Sequence, residues 1–140
     1  MRQAVRTLTI NTSGPGLTDV SGRLRAFVAE QGIETGLLTV WCRHTSASLI
    51  VQENADPDVR ADLVDFLNRL VPEGAGYRHA DEGPDDMPAH IKAALTLTQL
   101  SIPVVEGRLA LGTWQAVYVW EHRRVGSRRE LVVHLLGEGL

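Results

Sequence analysis

At 140 residues, with 44% hydrophobic and 22% charged residues, the chain has the size and composition of one globular domain spanning residues 1–140 and not those of a disordered protein. Its net charge of -3 argues against a general nucleic-acid binder, and no apolar run approaches the roughly 20 residues that span a membrane. Because the N-terminus lacks the apolar core of a signal peptide, we expect a cytoplasmic protein. The single cysteine, Cys42, excludes an intramolecular disulfide and a cysteine-rich zinc site.

The first half of the chain predicts alternating strands and helices. Residues 4–12 alternate in the β-branched pattern of a strand, which the SGPG segment then breaks. A helix capped by Thr18 or Asp19 follows, ends at Gly32 and should lie on a sheet. Residues 36–51 are apolar, β-branched and free of proline, which indicates two strands, with HTSAS near their junction or within the second.

A second helix is predicted with Asp56 as its cap and Pro57 as its first residue. Apolar residues at helical spacing form the stripe that we expect to be buried, namely Val59, Leu63, Phe66, Leu67 and Leu70. An acidic segment with two histidines follows and leads into a short helix near Ile91.

The last third reads as strands over residues 102–106, 108–111, 114–123 and 129–136, which we interpret as an antiparallel meander. In the third strand, Trp114 and Trp120 alternate with Val117 and Val119, so both faces are apolar. The chain's own helices or a second sheet can cover one face, and a second apolar face usually means a subunit contact. We therefore expect a homo-oligomer.

The segment HADEGPDDMPAH, from His79 to His90, contains two imidazoles and the four carboxylates of Asp81, Glu82, Asp85 and Asp86. These groups bind metals and exchange protons. The Gly83-Pro84 step favours a turn, so His79 and His90 should converge on one pocket, with His90 in the first turn of the short helix. The alternative is a solvated acidic loop in which Asp85 or Asp86 caps that helix ahead of Pro88.

The HTSAS motif could bind phosphate or a polar substrate through His44, Thr45, Ser46 and Ser48, or it could form ordinary cross-strand hydroxyl pairs. Cys42 lies two residues before His44, on the same strand face, which would allow a thiolate nucleophile, although a buried structural cysteine is the common case.

Further candidates lie outside these two motifs. Asn54 precedes the second helix without a capping role and could face the pocket. Glu121 and His122 point to opposite strand faces, so at most one should enter a given pocket. Arg123, together with Arg124, Arg128 and Arg129, flanks a turn that could clamp phosphate or form a solvated hairpin.

A divalent cation is the cofactor that these residue types suggest. Carboxylates such as the Asp85-Asp86 pair favour Mg²⁺, whereas a site with two or three histidines favours Zn²⁺ or a similar ion. The metal ligands that we predict are His79, His90, His44 and Asp86.

Four blocks, HTSASL, QENADPDVRADL, YRHADEGPDDMPAHIKAAL and GRLALGTWQAVYVWEHR, resemble in order and spacing the signature blocks of the YjbQ-like family. The resemblance covers residues 5–137. It implies an α+β fold, a single-domain β-sandwich with helices packed on one side, and a homotrimer whose sheets pack around a threefold axis. It also implies a site built from the histidines and acidic residues of these blocks, and a weak secondary thiamine-phosphate synthase activity that joins hydroxymethylpyrimidine diphosphate to thiazole phosphate and releases pyrophosphate.

Two classes of function follow. The first is a metal-dependent enzyme acting on a phosphorylated small molecule, without nucleic-acid or membrane partners. Its catalytic residues would be His79, His90, His44 and Glu121, and its substrate-binding residues Thr45, Ser46, Ser48, Asn54 and Arg123. The second is a trimeric protein that binds a small ligand or a metal for regulation and has no significant catalytic activity.

Overall fold

The computed structural model describes residues 1–139, which form two antiparallel sheets and three helices. The elements in chain order are β1 (Arg2–Asn11), β2 (Gly16–Asp19), α1 (Ser21–Gln31), β3 (Thr35–Cys42), β4 (Ala47–Glu53), α2 (Pro57–Leu70), α3 (Asp86–Leu95), β5 (Gln99–Val105), β6 (Arg108–Leu109), β7 (Gln115–Glu121) and β8 (Arg128–Glu138). The larger sheet has the order β1-β8-β3-β5-β6, and the smaller has the order β2-β7-β4.

The main core lies between the inner faces of the two sheets. Leu38 of β3 and Leu131 of β8 face Leu49 of β4 and Val117 of β7, and all four are fully buried. Alternation along each strand produces this core, because every second residue points inward. Helix α1 adds the buried Phe27 to the same core. Each such side chain stabilises the fold by about 1.5–3 kcal/mol on burial.

Helices α2 and α3 cover the opposite face of the smaller sheet. Leu67 and Val71 pack there against Trp120 of β7, with Ile91 of α3 beside them. Both faces of β7 are therefore apolar, as predicted, but the same chain covers both. The reason given for a homo-oligomer is thus wrong, and the oligomeric state itself stays a prediction.

The predicted antiparallel meander is confirmed for β5 and β6, which pair with each other, but is wrong for β7 and β8. Strand β7 pairs with β2 and β4, whereas β8 pairs with β1 and β3, so the turn after Arg123 carries the chain from one sheet to the other. Strand β2 was not predicted, because four residues are too few for a two-residue alternation to show.

The end of α1 and the start of α2 follow the predicted signals. Helix α1 ends at Gly32, whose φ of 64° is the left-handed conformation that glycine adopts without strain. The start of α1 differs from the predicted cap at Thr18 or Asp19. Val20 occupies the cap position without a side-chain capping bond, while Asp19 accepts a hydrogen bond from the Ser21 amide at 2.8 Å. Helix α2 begins at Pro57, and Asp56 accepts from the Asp58 amide at 2.9 Å.

Two members of the predicted buried stripe of α2 are exposed. Phe66 and Leu70 are each 57% exposed, whereas Leu67 is buried. The helix lies on the surface and contacts the sheet through Leu63, Val64, Leu67 and Val71, so its neighbouring stripe faces outward. No helix in the described part of the chain is long and apolar enough to cross a membrane.

Candidate functional site

Three side chains converge at the start of α3. Asp86 and His90 are four residues apart and so share one face of the helix, while His79 comes from the preceding loop. His79 Nε2 lies 2.6 Å from Asp86 Oδ2, and His90 Nε2 lies 3.1 Å from the same oxygen. Donor atoms of the three residues all lie within 4.8 Å of one another. We call these residues the His-Asp-His cluster.

The predicted convergence of His79 and His90 is confirmed, since their ring centroids are 5.6 Å apart. The predicted place of His90 in the helix is wrong. Helix α3 already begins at Asp86, so His90 is its fifth residue and lies beyond the first turn. The spacing of Asp86 and His90 along α3 places this imidazole beside the carboxylate.

The orientation of His90 is fixed by the main chain. Its Nδ1 lies 2.9 Å from the Thr45 carbonyl oxygen, which can only accept, so Nδ1 carries a proton. In the neutral ring, Nε2 then presents a lone pair toward Asp86. A histidine whose second nitrogen donates to a backbone carbonyl in this way is typical of metal ligands.

His79 balances the negative charge of the Asp86 carboxylate when no cation is bound. The hydrogen bond from His79 to Asp86 raises the pKa of His79. Burial by itself raises the pKa of Asp86, but the bond from His79 and the charge of Arg123 lower it overall. The acidic oxygen between the two imidazoles is therefore an anion at neutral pH.

Arg123 fixes the other half of the acidic pair. Its Nη1 donates to Asp86 Oδ1 at 2.7 Å, its Nε donates to Asp85 Oδ2 at 2.9 Å, and its Nη2 donates to the Glu82 carbonyl at 3.0 Å. The guanidinium is therefore engaged with the acidic segment and orients Asp86. The substrate-binding role predicted for Arg123 would require these bonds to be exchanged.

Asp85 and Asp86 are not part of a solvated loop, because both are buried. Asp85 occupies the cap position of α3, yet its side chain makes no capping bond. Instead its Oδ2 accepts from Arg123 and from the Arg124 amide at 2.9 Å. The Arg123 guanidinium lowers the pKa of Asp85, although burial opposes this effect. The alternative of a helix-capping acidic loop is wrong for these two residues.

A cavity of about 520 Å³ adjoins the cluster. Its walls are formed by Trp41, Cys42, Arg43, His44, Thr45, His90, Ala93, Ala94 and Thr98. The side chain of His44 is not a member of the cluster. Its Nε2 accepts from the Glu130 amide at 2.7 Å, which leaves the proton on Nδ1. Burial lowers the pKa of His44, and the charge of Arg129 adds to this effect, so the ring is neutral.

Cys42 does not have the environment of a nucleophile. Its side chain is buried, its thiol donates to the Ala47 carbonyl, and burial raises its pKa. A thiol of this kind stays protonated at neutral pH. The structure therefore favours the structural alternative for Cys42.

Glu121 and Ser48 lie inside the protein. Glu121 is fully buried, pairs with Arg129 and accepts from Thr12 at 2.6 Å. The Ser48 hydroxyl lies 2.8 Å from His122 Nε2 and is also fully buried. Neither residue lines a described cavity, so the structure does not support the catalytic role predicted for Glu121 or the substrate contact predicted for Ser48.

The remaining predicted residues divide by location. Thr45 is exposed on the cavity wall. Ser46 accepts from Arg129 at 3.0 Å and borders a neighbouring cavity. Asn54 follows the far end of β4, about 20 Å along the strand from Ala47, at 3.3 Å a residue. The orienting Thr45 carbonyl was missed, because a backbone group leaves no signal in the side-chain sequence.

Sequence comparison gives the same family that the four blocks indicate. The family model "UPF0047 protein YjbQ-like" matches residues 6–138. A UPF0047 protein of Synechocystis is 56% identical over 138 residues, covering 98% of this chain and 94% of that protein. The UPF0047 protein YjbQ of Escherichia coli O157:H7 is 41% identical over 134 residues, covering 95% of this chain and 97% of that protein.

Solved structures agree with the fold. A crystal structure of a yjbq/upf0047 family protein from Clostridium acetobutylicum has a TM-score of 0.87 at 33% identity and covers 94% of this chain and 99% of that chain. A conserved hypothetical protein from Thermus thermophilus has a TM-score of 0.83 at 34% identity, with the same two coverages. Together with the sequence matches, these structures show that the chain belongs to the UPF0047 YjbQ-like family.

Proposed function

We propose that the chain is a metal-dependent enzyme that acts on a phosphorylated small molecule, with the metal bound by His79, Asp86 and His90. One observation carries the proposal. A single buried carboxylate oxygen, Asp86 Oδ2, lies within hydrogen-bond distance of two imidazole Nε2 atoms. One of these imidazoles has its proton fixed on the opposite nitrogen by the Thr45 carbonyl. When the His90 ring is neutral, its Nε2 lone pair and the carboxylate oxygen face each other across 3.1 Å, an arrangement that a cation would stabilise.

The donor set fits a divalent transition ion better than Mg²⁺. Two imidazole nitrogens and one carboxylate oxygen suit zinc and similar ions, whereas Mg²⁺ prefers oxygen ligands. Three protein ligands also leave coordination positions open, which is typical of catalytic zinc sites and not of structural ones. When bound, such an ion would polarise a phosphoryl oxygen or stabilise a leaving pyrophosphate.

The cavity beside the cluster has groups suited to a polar ligand. The neutral His44 directs an Nδ1–H donor away from the Glu130 amide, and Thr45 adds an exposed hydroxyl. Arg43 is loosely held, at 3.7 Å from Glu130, so its guanidinium is available to an anionic group. These donors support binding of a phosphorylated molecule next to the metal.

The resemblance to YjbQ-like proteins suggests the reaction. In thiamine-phosphate synthesis, the thiazole ring nitrogen forms a bond to the methylene carbon of hydroxymethylpyrimidine diphosphate, and the carbon–oxygen bond to pyrophosphate breaks. The protein's task in this displacement is to hold both substrates and to stabilise the departing negative charge. His90, His44 and Arg43 all border the cavity where that charge would develop.

Turnover of the two thiamine precursors tests the proposal. We expect product from the purified protein, loss of product with a chelator, and loss in His79→Ala. Asp65→Ala is the control, because Asp65 is exposed on α2, away from the outer face of the larger sheet, and the change removes a metal-binding type of side chain outside the cluster. Equal product from the wild type and His79→Ala would indicate a contaminating activity. Metal binding without turnover would support the alternative, a protein that binds a small ligand or metal for regulation.

We also propose that the protein forms a homotrimer. The outer face of the larger sheet carries Val5, Leu37, Trp41, Val105 and Leu136, each at least 40% exposed. Cross-strand pairs such as Leu37 with Leu136 place these residues on one side. Several exposed apolar side chains on one sheet face favour association. The number three comes from the resemblance, and Trp41 places this face at the edge of the cavity that adjoins the cluster.

A further inference from the structure

A second cavity, of about 300 Å³, lies on the other side of α3. Pro88 and Lys92 are four residues apart and point away from the face that carries Asp86 and His90. The walls of this cavity are formed by Pro15, Asn68, Val71, Glu73, Asp85, Pro88, Lys92, His122 and Arg124. Neither histidine of the cluster lines it, and none of the roles proposed above uses Lys92 or His122.

Hydrogen bonding fixes the tautomer of His122. The Thr96 hydroxyl lies 2.9 Å from the Lys92 carbonyl, which can only accept, so Thr96 donates its one proton there. Thr96 is also within donating distance of the Ser48 hydroxyl, but its one proton is used at the Lys92 carbonyl, so we assign the Ser48 proton to the contact between the two hydroxyls. His122 Nε2 must accordingly donate to Ser48 at 2.8 Å. With this order, each of the three contacts has one proton.

The other nitrogen of His122 opens onto the cavity. Nδ1 carries no proton and makes no hydrogen bond with residues 1–139, although only 5% of the residue is exposed. No buried polar side-chain atom of the described chain lacks a partner, so this atom is not sealed inside the protein. Burial, together with the charge of Lys92, lowers the pKa of His122 to about 4. The cavity wall thus presents a neutral imidazole acceptor.

Lys92 supplies the complementary charge. It is the only lysine in the sequence, and its Nζ donates to Asn68 at 2.6 Å. No carboxylate of residues 1–139 lies within 4.0 Å of it, whereas Arg124 pairs with Glu73 and Asp85 pairs with Arg123. The cavity therefore has an ammonium group without a direct counter-ion, with donors left for a ligand.

We propose that this cavity binds a phosphate group that keeps a P–OH, either as inorganic phosphate or as a protonated monoester. An unprotonated oxygen would accept from Lys92 Nζ, and the P–OH would donate to His122 Nδ1. Sulfate has the same shape but no proton, so its oxygen would meet the imidazole lone pair. A site built around a hydrogen-bond acceptor strongly disfavours a ligand that lacks the matching donor. This site is separate from the metal centre and does not depend on it.

Isothermal titration calorimetry of the chelator-treated full chain at pH 6 tests the proposal. About half of a phosphate monoester carries the extra proton at this pH, while His122 is still neutral. We expect inorganic phosphate to bind at least about tenfold more tightly than sulfate. Glycerol phosphate, a monoester, shows whether the site takes phosphate monoesters or only free inorganic phosphate. Binding equal to that of phosphate assigns the site to monoesters, and much weaker binding assigns it to the free ion. Either result supports the site.

Variants locate the bound ion. Lys92→Met keeps the length of the side chain and should weaken phosphate binding at least about tenfold, whereas Arg108→Met, an exposed control on β6, should not change it. His122→Gln can turn an amide N–H toward the ion and should reduce the preference for phosphate over sulfate. Thermal melts of the variants check folding, and Lys92→Met leaves the His122-Ser48 contact untouched. Equal binding of phosphate and sulfate would overturn the proposal, as would unchanged binding in Lys92→Met or lost binding in His79→Ala.

Discussion

Arg123 is the residue on which the geometry of the cluster depends. Its side chain is 30% exposed and binds two carboxylates that are 12% and 3% exposed, so its removal would leave two buried negative charges without their main partner. Arg123→Ala should lower the free energy of unfolding by about 3 kcal/mol, the lower end for a broken buried ion pair. Urea unfolding at pH 7 measures the loss.

The control for this prediction is the neighbouring arginine. Arg124 pairs with Glu73 through a side chain that is 61% exposed, and an exposed pair contributes at most about 1 kcal/mol. The Arg124 amide still donates to Asp85 when the side chain is truncated. Equal losses in Arg123→Ala and Arg124→Ala would show that Arg123 does not hold the acidic pair.

Glu121 provides a prediction for pH dependence. Burial raises its pKa, but the hydrogen bonds from Arg129 and Thr12 outweigh burial and lower the pKa overall. A carboxyl whose pKa is lower in the folded state stabilises the fold above its unfolded pKa of about 4.3, and this stabilisation is lost as the pH falls through the folded value. Glu121→Gln should therefore be least stable, relative to the wild type, at neutral pH. Urea unfolding should be measured at pH 7 and at pH 3.5, about one unit below the unfolded pKa. The difference in the free energy of unfolding between the wild type and Glu121→Gln should be smaller at pH 3.5, and an equal difference at both pH values would contradict the prediction.

At the residue scale, the sequence predicted the members of the His-Asp-His cluster but not their partners. His79, Asp86 and His90 lie within twelve residues, so a local turn is enough to bring them together. The partners come from distant parts of the chain. Arg123 is 37 positions from Asp86, and the Thr45 carbonyl is 45 positions from His90. Such contacts depend on how the sheets pack, which a single sequence does not encode in any local pattern.

At the element scale, the helix ends illustrate how far local chemistry determines structure. Asp56 caps α2 and should contribute about 1 kcal/mol to stability, so Asp56→Ala should lower the melting temperature. Among residues 1–139, the Asn54 side chain makes one long hydrogen bond, 3.4 Å to the Thr113 carbonyl, and Asn54→Ala should change stability by less than about 0.5 kcal/mol. Calorimetric melts of both variants test this prediction. A larger loss of stability in Asn54→Ala than in Asp56→Ala would contradict the assignment of Asp56 as the helix cap.

The strands illustrate the opposite case. Strands β7 and β8 are neighbours in sequence and were predicted to pair, yet they lie in different sheets. Alternation of apolar residues shows that a segment is a strand and which residues point inward, but it does not name the pairing partner. The signal at the end of α1 and the cap signal of α2 were sufficient because a helix end satisfies its backbone groups within a few residues.

At the scale of the whole molecule, the outer face of the larger sheet predicts association. Light scattering at micromolar concentration should give about three times the chain mass of 15.3 kDa. Trp41→Glu, on the central strand β3 of this sheet, should shift the protein toward monomer, because it places a charge in an apolar contact. Phe66→Glu is the control, since Phe66 is exposed on α2, away from this sheet. A monomeric wild-type protein would rule out the trimer.

The central claim is that His79, Asp86 and His90 bind one divalent transition ion. Zinc titration of chelator-treated protein against a competing chelator measures it most directly, with His79→Ala and Asp86→Asn as cluster variants and Asp65→Ala as the control. We predict one ion per chain, an affinity at least about tenfold lower in both cluster variants, and no change in the control. Equal zinc affinity in all four proteins would contradict the account.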